Sequence, residues 1–183
     1  PRAARQAGAA SHPFGLTPSR GLPEGPVFRS VGRGILALMV YSRYPHLHRD
    51  NVVFDADDDL WLGPLSGGRA ARITLGEAAP RNPRFSPDGN RIAFTSTTEG
   101  GWDAYVVELD GGTRRLTWLS AGRMLVSGWL DDDHILLCSD HQAVHRTDAR
   151  LYSLSLDGHL ERLPWGAATA AAVAAVVLGH TTC

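Results

Sequence analysis

Residues Arg84–Thr117 read RFSPDGNRIAFTSTTEGGWDAYVVELDGGTRRLT, a stretch of short apolar runs separated by turn signals. Ser86–Gly89 predicts a tight turn, because proline presets φ near −65° and glycine takes φ > 0 without steric cost. Asp110–Gly112 predicts a second turn of the kind that joins antiparallel strands. Between the turns, apolar side chains such as Ile92 and Phe94 recur at every second position. The stretch therefore predicts four consecutive strands.

The same unit occurs on both sides of this stretch. Trp61, Tyr105 and Tyr152 occupy equivalent positions in its third strand, at spacings of 44 and 47 residues. The length differences fall in the connection between the second and third strands, which a surface loop tolerates. A period near 45 residues with four strands per unit is typical of a β-propeller blade.

The fold class predicted from this repeat is all-β, a partial β-propeller of four-stranded antiparallel blades with about three blades and the start of a fourth. Residues 1–38 are rich in Pro, Gly, Ala and Arg and lack periodicity, so we expect a disordered or non-native extension. Residues 39–165 are assigned to blades 1 to 3. Residues 166–183 are assigned to the truncated start of a fourth blade, with a short terminal helix as the alternative.

Charge and cysteine content restrict the partners. The net charge of −1 argues against nucleic acid, whose binding proteins usually concentrate positive charge. The apolar run Ala167–Leu178 is 12 residues long, and about 20 are needed to cross a bilayer, so no membrane partner is predicted. Cys138 and Cys183 form no disulfide framework, which favours a reducing cytosol.

Two kinds of polar pattern could hold a metal ion. His46 and His48 lie two residues apart, hence on one face of a strand, but no third ligand has suitable spacing and a polar strand edge is favoured. Asp57–Asp59 and Asp131–Asp133 occupy turn positions of the repeat and lack the ligand spacing of a calcium loop. Solvated turns are therefore expected there, and no metal or cofactor is predicted.

Aromatic residues recur at equivalent strand positions, where we expect them to fill the gaps between blades rather than to form a ligand cage. They are Trp61, Phe85, Phe94, Tyr105, Trp129 and Tyr152. Trp102 and Trp118 lie at loop edges and are candidates for facing a partner. One polar cluster flanks the longest loop, as a candidate surface site or a solvated loop: His134, Asp140, His141, His145 and Asp148.

No catalytic residue is predicted. The sequence has no Gly-x-Ser-x-Gly elbow, no paired metal motif and no phosphate-binding loop. The Ser, His and Asp residues fall in turns and strands of the repeat.

Five segments, in this order, resemble the opening of the tricorn proteases: Tyr44–His48, Val52–Phe54, Asp58–Leu62, Gly67–Thr74 and Pro83–Ser96. The resemblance covers about residues 40–165. The Ser-Pro-Asp-Gly blade alone is shared with TolB-like propellers and with the propellers of prolyl oligopeptidase-type enzymes, so the order of the segments carries the likeness.

The resemblance implies a non-catalytic N-terminal segment of a cytosolic serine peptidase. Tricorn proteases begin with a six-bladed propeller, continue into a seven-bladed one and end in helical, PDZ and catalytic domains that supply the active-site Ser, His and Glu. They form large rings that trim peptides released by the proteasome, and the first propeller acts as a gate or channel. The implied partners are the remaining domains, the oligomer and passing peptides, and the chain alone should be inactive. A TolB-like module for protein–protein contact is the alternative.

Overall fold

The computed structural model describes residues 27–31, 34–37, 41–74, 79–97, 100–145, 148–165, 168 and 171, the first two ranges by their backbone only. Fifteen strands make up the regular structure of these residues. They are β1 Val27–Val31, β2 Gly34–Ala37, β3 Arg43–His48, β4 Asn51–Ala56, β5 Asp59–Pro64, β6 Gly68–Arg69, β7 Ala71–Arg72, β8 Arg81–Phe85, β9 Arg91–Ser96, β10 Asp103–Glu108, β11 Thr113–Arg115, β12 Met124–Trp129, β13 His134–Ser139, β14 Arg150–Ser155 and β15 Leu160–Arg162. Within this part of the chain, we find no helix with the length and apolarity that a membrane crossing requires.

Twelve of the strands form three four-stranded sheets, each built from strands close together in sequence. Their orders are β3-β4-β5-β7, β8-β9-β10-β11 and β12-β13-β14-β15, and every pairing is antiparallel. We call these sheets blade 1, blade 2 and blade 3. The prediction of an all-β partial propeller is confirmed.

The blades pack face to face through two apolar clusters. Side chains point alternately to the two faces of a strand, so the central strands of blade 2 contribute to both clusters. Val53 of blade 1 packs with Ile92 and Phe94 of blade 2, whereas Ala93 of blade 2 packs with Leu137 of blade 3. Central strands are buried on both faces as a result, which explains their nearly continuous apolar sequence.

Five of the six recurrent aromatic residues lie in these two clusters, as predicted, whereas Trp61 lies on the side of blade 1 that faces away from blade 2. Each is at most 9% exposed. Phe94 and Tyr105 stack with ring centroids 5.5 Å apart, and the indole N–H of Trp129 crosses to blade 2 and donates to the Arg84 carbonyl at 2.9 Å. Aromatic packing therefore fixes both the spacing and the register of adjacent blades.

The outer strands of blades 1 and 2 are fastened by a buried carboxylate. In blade 2, Asp103 at the start of β10 accepts hydrogen bonds from the Thr117 hydroxyl (2.7 Å) and from Arg115 (2.8 Å). In blade 1, the Asp59 carboxylate accepts a hydrogen bond from the Thr74 hydroxyl at 3.0 Å, and its Oδ2 lies 3.2 Å from Nη1 of Arg72. The expectation that Asp59 belongs to a solvated turn is wrong: it is 4% exposed, because it begins a strand and meets the threonine that follows the outer strand.

The Ser86–Gly89 turn forms as predicted and also joins blades 2 and 3. Gly89 has φ 81°, and its N–H donates to the Ser86 carbonyl at 2.9 Å. The side chain of Asp132 in blade 3 accepts the Asp88 N–H at 3.0 Å, and Arg91 donates to the Asp132 carbonyl at 3.0 Å. Asp132 is exposed, as expected for a turn, but it also makes a contact between blades.

Two segments of the expected extension, residues 1–38, are strands in the structure. β1 and β2 pair with each other, and β1 also pairs with β6 at Val27↔Arg69 and Phe28↔Gly68. The expectation of an irregular chain therefore does not hold for these two segments, and the other residues of 1–38 lie outside the described ones. The expected start of a fourth blade also lies outside them, except for Ala168 and Ala171.

Cys138 lies in β13, on the predicted strand, and is buried. Its thiol donates to the Ala168 carbonyl at 3.0 Å, and Ala168 in turn donates its N–H to the Ala149 carbonyl at 2.8 Å. Burial raises the pKa of the Cys138 thiol, although the positive charge of Arg123 acts in the opposite direction. These contacts give Cys138 a packing role.

Candidate functional site

A cleft of about 340 Å³ opens where the inner strands of the three blades begin. β3, β8 and β12 are the first strands of their sheets, and the cleft brings their N-terminal ends together. It is lined by Tyr44, Arg81, Asn82, Trp102, Gly122, Arg123, Met124 and Leu125. The cleft is the candidate functional site.

A repeated backbone feature shapes two walls of the cleft. Tyr44 and Asn82 both have positive φ, 51° and 53°, and each is followed by a proline. In both strands the register with the next strand shifts at this point, which indicates a β-bulge. Asparagine tolerates this conformation better than tyrosine, so Tyr44 carries more backbone strain. Three residues at the two bulges, Tyr44, Arg81 and Asn82, line the cleft.

Arg81 lies at the blade 1 and blade 2 side of the cleft, next to a buried ion pair. Arg43 bonds through Nε to the buried Asp55 carboxylate at 2.9 Å, and Arg81 lies close enough to act on the same carboxylate. Burial raises the pKa of Asp55, while the hydrogen bond and the charge of Arg43, and the charge of Arg81, lower it. The buried Asp55 carboxylate thus lies near two arginines and near Asp58, and of these side chains only Arg81 lines the cleft.

Arg123 provides a second cationic group, from the segment before β12. Its backbone is held by the start of the loop after β13: Arg123 N–H donates to the Asp140 carboxylate at 2.9 Å, and the Ser139 hydroxyl donates to the Arg123 carbonyl at 3.0 Å. The side chain is exposed at the cleft. Arginines present flat arrays of N–H donors that suit carboxylates and carbonyl oxygens.

Aromatic faces complete the cleft and its rim. Trp102 lines the cleft with the Arg81 guanidinium 5.1 Å from its ring centroid. Trp118 is 70% exposed, and the Arg115 guanidinium lies 5.4 Å from its ring centroid. Of the two tryptophans proposed to face a partner, one therefore lines the cleft and the other stands on the surface. Such rings offer stacking surfaces to a chain that passes across them.

The two histidines of β3 contact blade 2. His46 Nδ1 accepts the Phe85 N–H at 3.2 Å, so its ring is neutral. Burial lowers the pKa of His46 to about 4, with smaller effects from the positive charge of Arg84 and from His48. His48 packs 5.6 Å from the Phe85 ring. Among the described residues, no group of three or more His, Cys, Asp and Glu side chains is placed to hold a metal ion.

The structure does not bring the polar cluster of the long loop together. His134 begins β13 and pairs with Asp131 at 2.9 Å, whereas Asp140 and His141 follow the other end of that strand. The rings of His141 and Tyr152 lie 6.2 Å apart. The prediction placed His134 next to the loop because the sequence separation is small, but a six-residue strand moves it to the opposite end.

The guanidinium and aromatic groups of the cleft suit contact with an extended polymer. The eight lining residues described include no Ser, Thr, Cys, His or carboxylate that could act as a nucleophile or base. Sequence analysis missed Arg81, Asn82 and Arg123. The repeated Arg-x-Pro pattern at Arg43 and Arg81 was the available signal.

Residues 39–177 match the family described as the tricorn protease N-terminal beta propeller domain. The chain is 40% identical over 134 residues to tricorn protease homolog 1 of Streptomyces coelicolor, which covers 71% of this chain and 12% of that protein. It is 33% identical over 131 residues to a putative tricorn-like protease N-terminal subunit of Sulfurisphaera tokodaii, covering 69% of this chain and 67% of that protein.

Solved structures agree with the sequence matches. The crystal structure of the tricorn protease superposes with a TM-score of 0.66 at 27% identity, over 74% of this chain and 14% of that one. TolB from Acinetobacter baumannii superposes with a TM-score of 0.60 at 21% identity, over 71% of this chain and 34% of that one, a likeness of fold alone. The chain thus spans about one eighth of the length of its Streptomyces relative.

Proposed function

The chain belongs to the tricorn protease N-terminal β-propeller family, and we propose that it serves as the non-catalytic propeller segment of a tricorn-like serine peptidase that guides peptides towards the active site. The observation that carries this proposal is the cleft at the N-terminal ends of β3, β8 and β12, which is lined by Arg81, Trp102 and Arg123 among others.

The chemistry of the cleft supports peptide contact. An extended peptide presents carbonyl oxygens along its length and a carboxylate at its end, and both accept hydrogen bonds from guanidinium groups. Trp102 supplies a flat apolar surface for side chains. The proposed contacts are few, so peptides bind weakly and pass on.

Catalysis is assigned to other domains of the parent peptidase. In this proposal those domains contain the Ser, His and Glu residues, and the propeller's partners are these domains, the assembled oligomer and the peptides that pass through. The setting is the cytoplasm, downstream of the proteasome. The chain alone binds peptides without hydrolysing them.

Fluorescence anisotropy with labelled, unstructured octapeptides tests the proposal on the full chain. We expect Arg81→Ala and Arg123→Ala each to raise the Kd at least fivefold, since each removes a charged donor from the cleft. Arg162→Ala, on the outer strand β15, is the matched control and should leave the Kd unchanged. Equal affinities for all variants, with circular dichroism showing intact folds, would refute the cleft as a peptide site.

Peptide hydrolysis by the purified chain would refute the non-catalytic assignment. The assay uses fluorogenic peptides, and it requires that turnover survives removal of contaminating peptidases. We expect no turnover and no labelling by serine-directed covalent inhibitors.

A TolB-like module for protein–protein contact is the second candidate. It is favoured by a 35% identity over 62 residues to a Protein TolB homolog of Chlorobium luteolum, although this covers only 34% of the chain. Retention of folded protein partners without any peptide binding would favour it over the peptide-guiding role.

A further inference from the structure

Blade 1 has an apolar side that faces away from blade 2. Alternation along β4 and β5 sends Val53, Leu60 and Leu62 into the cluster with blade 2, and it sends their neighbours to the opposite side. These neighbours form a separate buried cluster, which we call the far face of blade 1: Val52, Phe54, Ala56, Trp61 and Ala70.

The far face is buried although blades 2 and 3 lie on the other side. Phe54 is 2% exposed and Trp61 is 7% exposed, whereas Leu47 at the inner edge of the same blade is 54% exposed. Side chains as large as phenylalanine and tryptophan reach such low exposure only when other atoms of the chain cover them.

The repeat shows what normally covers this position. In blade 2, the equivalent side chains Phe94 and Tyr105 pack against blade 1. In blade 3, the equivalents Leu137 and Tyr152 pack against blade 2. Blade 1 has no earlier blade among the described residues, so its far face needs a different cover.

The backbone brings the strand β1 next to a chain segment that contributes to the far face. β1 pairs with β6, and β6 leads through Ala70, a member of the far face, into the outer strand β7. The register Val27↔Arg69 places the first residue of β1 beside Arg69, the residue that precedes Ala70 in the chain. β2 then extends the same small sheet on the other side of β1.

We propose that β1 and β2 cover the far face of blade 1 and take the position that a preceding blade would occupy in a ring. The occupant is this chain's own pair of strands, Val27–Val31 and Gly34–Ala37. A preceding blade and these strands compete for one apolar surface, so closing a ring at blade 1 requires the strands to leave.

The first test is a cross-link in the full chain, with Cys138 and Cys183 replaced by Ser. Val27→Cys and Arg69→Cys place two thiols at paired positions, where antiparallel Cα atoms lie within the range that a disulfide spans. In a glutathione buffer we expect an intramolecular disulfide in most chains. Thr113→Cys, on the outer strand of blade 2, replaces Arg69→Cys in the control and should give less than a tenth of that yield.

Cross-links that join two chains would assign the far face to a second copy and overturn the proposal. So would equal intramolecular yields for the test pair and the control pair. Mass spectrometry of the non-reduced protein distinguishes these results.

The second test measures burial of the far face in the same cysteine-free background. Ala70→Cys should react slowly with a thiol reagent while β1 is paired. Arg29→Pro removes the N–H at the centre of β1, opposite Leu36, and should raise the labelling rate at least tenfold relative to the control Arg29→Ala. Equal rates in the two variants, with the rest of the fold intact by circular dichroism, would overturn the proposal.

Discussion

Replacement of Asp103 by alanine should remove a large part of the stability of the chain. Asp103 is 1% exposed and accepts four hydrogen bonds. The donors are the Thr117 hydroxyl at 2.7 Å, Arg115 at 2.8 Å, Leu119 N–H at 2.7 Å and Ser120 N–H at 3.2 Å. The same carboxylate thus holds the outer strand of blade 2 and the segment that leads to blade 3.

The expected loss follows from the groups left behind. Removing one member of a buried, hydrogen-bonded charge pair costs about 3–5 kcal/mol, because the other charge loses its partner without regaining water. The Arg115 side chain is only 13% exposed, so this range applies, although some water can reach it. Since a domain is stable by about 5–15 kcal/mol, this loss is about a fifth of the total at least and nearly all of it at the lower end of the range.

Urea unfolding followed by circular dichroism measures this loss as a fall in the midpoint at constant m-value. Asp110→Ala, in an exposed turn of the same blade, is the matched control and should change the free energy of unfolding by less than about 0.5 kcal/mol. The loss in free energy of unfolding for Asp59→Ala should lie between the losses for these two variants. A loss below about 1 kcal/mol for Asp103→Ala would refute the reasoning.

Two further predictions concern the contact between blades 1 and 2. As pH falls from 6.5 towards 4, His46 is protonated in the unfolded chain but not in the folded chain, where its pKa is lowered to about 4. The free energy of unfolding should therefore fall by up to about 3 kcal/mol, and by less because the ring is partly exposed. His46→Asn should flatten this part of the curve of urea midpoint against pH. Gly89→Ala should lower the thermal midpoint by several degrees relative to wild type, because Gly89 has φ 81° and an added Cβ would lie 2.5 Å from His48 Nε2; an unchanged midpoint would contradict this packing.

The parts of the fold that were predicted from the sequence are those that repeat. The repeat could be recognised from the turn at Ser86–Gly89 and from the equivalent residues Trp61, Tyr105 and Tyr152. Stacked blades impose the same burial and the same turn geometry on each unit, so these residues recur. β1 and β2 were not predicted. Their pairing depends on a contact with β6 that is distant in sequence, and a Gly- and Arg-rich composition gives no periodic signal for it.

The candidate site was harder to predict than the fold. Arg81 and Arg123 come from different blades and come close only when the blades stack, so their proximity is a property of the packing between blades. Asp59 was misjudged because a run of three aspartates reads as a solvated turn, although the strand begins at the third. Charge and turn propensity are properties of a local segment. The burial of Asp59 depends instead on its contact with Thr74, which comes fifteen residues later in the chain.

The third blade shows which of the repeated residues hold the sheet and which do not. By strand register, Arg150 occupies the position of Asp103, because each pairs with the serine that ends the preceding strand. Arg162 occupies the position of Arg115, so blade 3 has two cationic residues where blade 2 has an ion pair. Its outer strand still pairs, with Leu163 N–H donating to the Leu151 carbonyl at 2.9 Å. The backbone hydrogen bonds between strands and the apolar faces therefore suffice to form a blade. The buried carboxylates Asp59 and Asp103 add stability in the two blades that contain them.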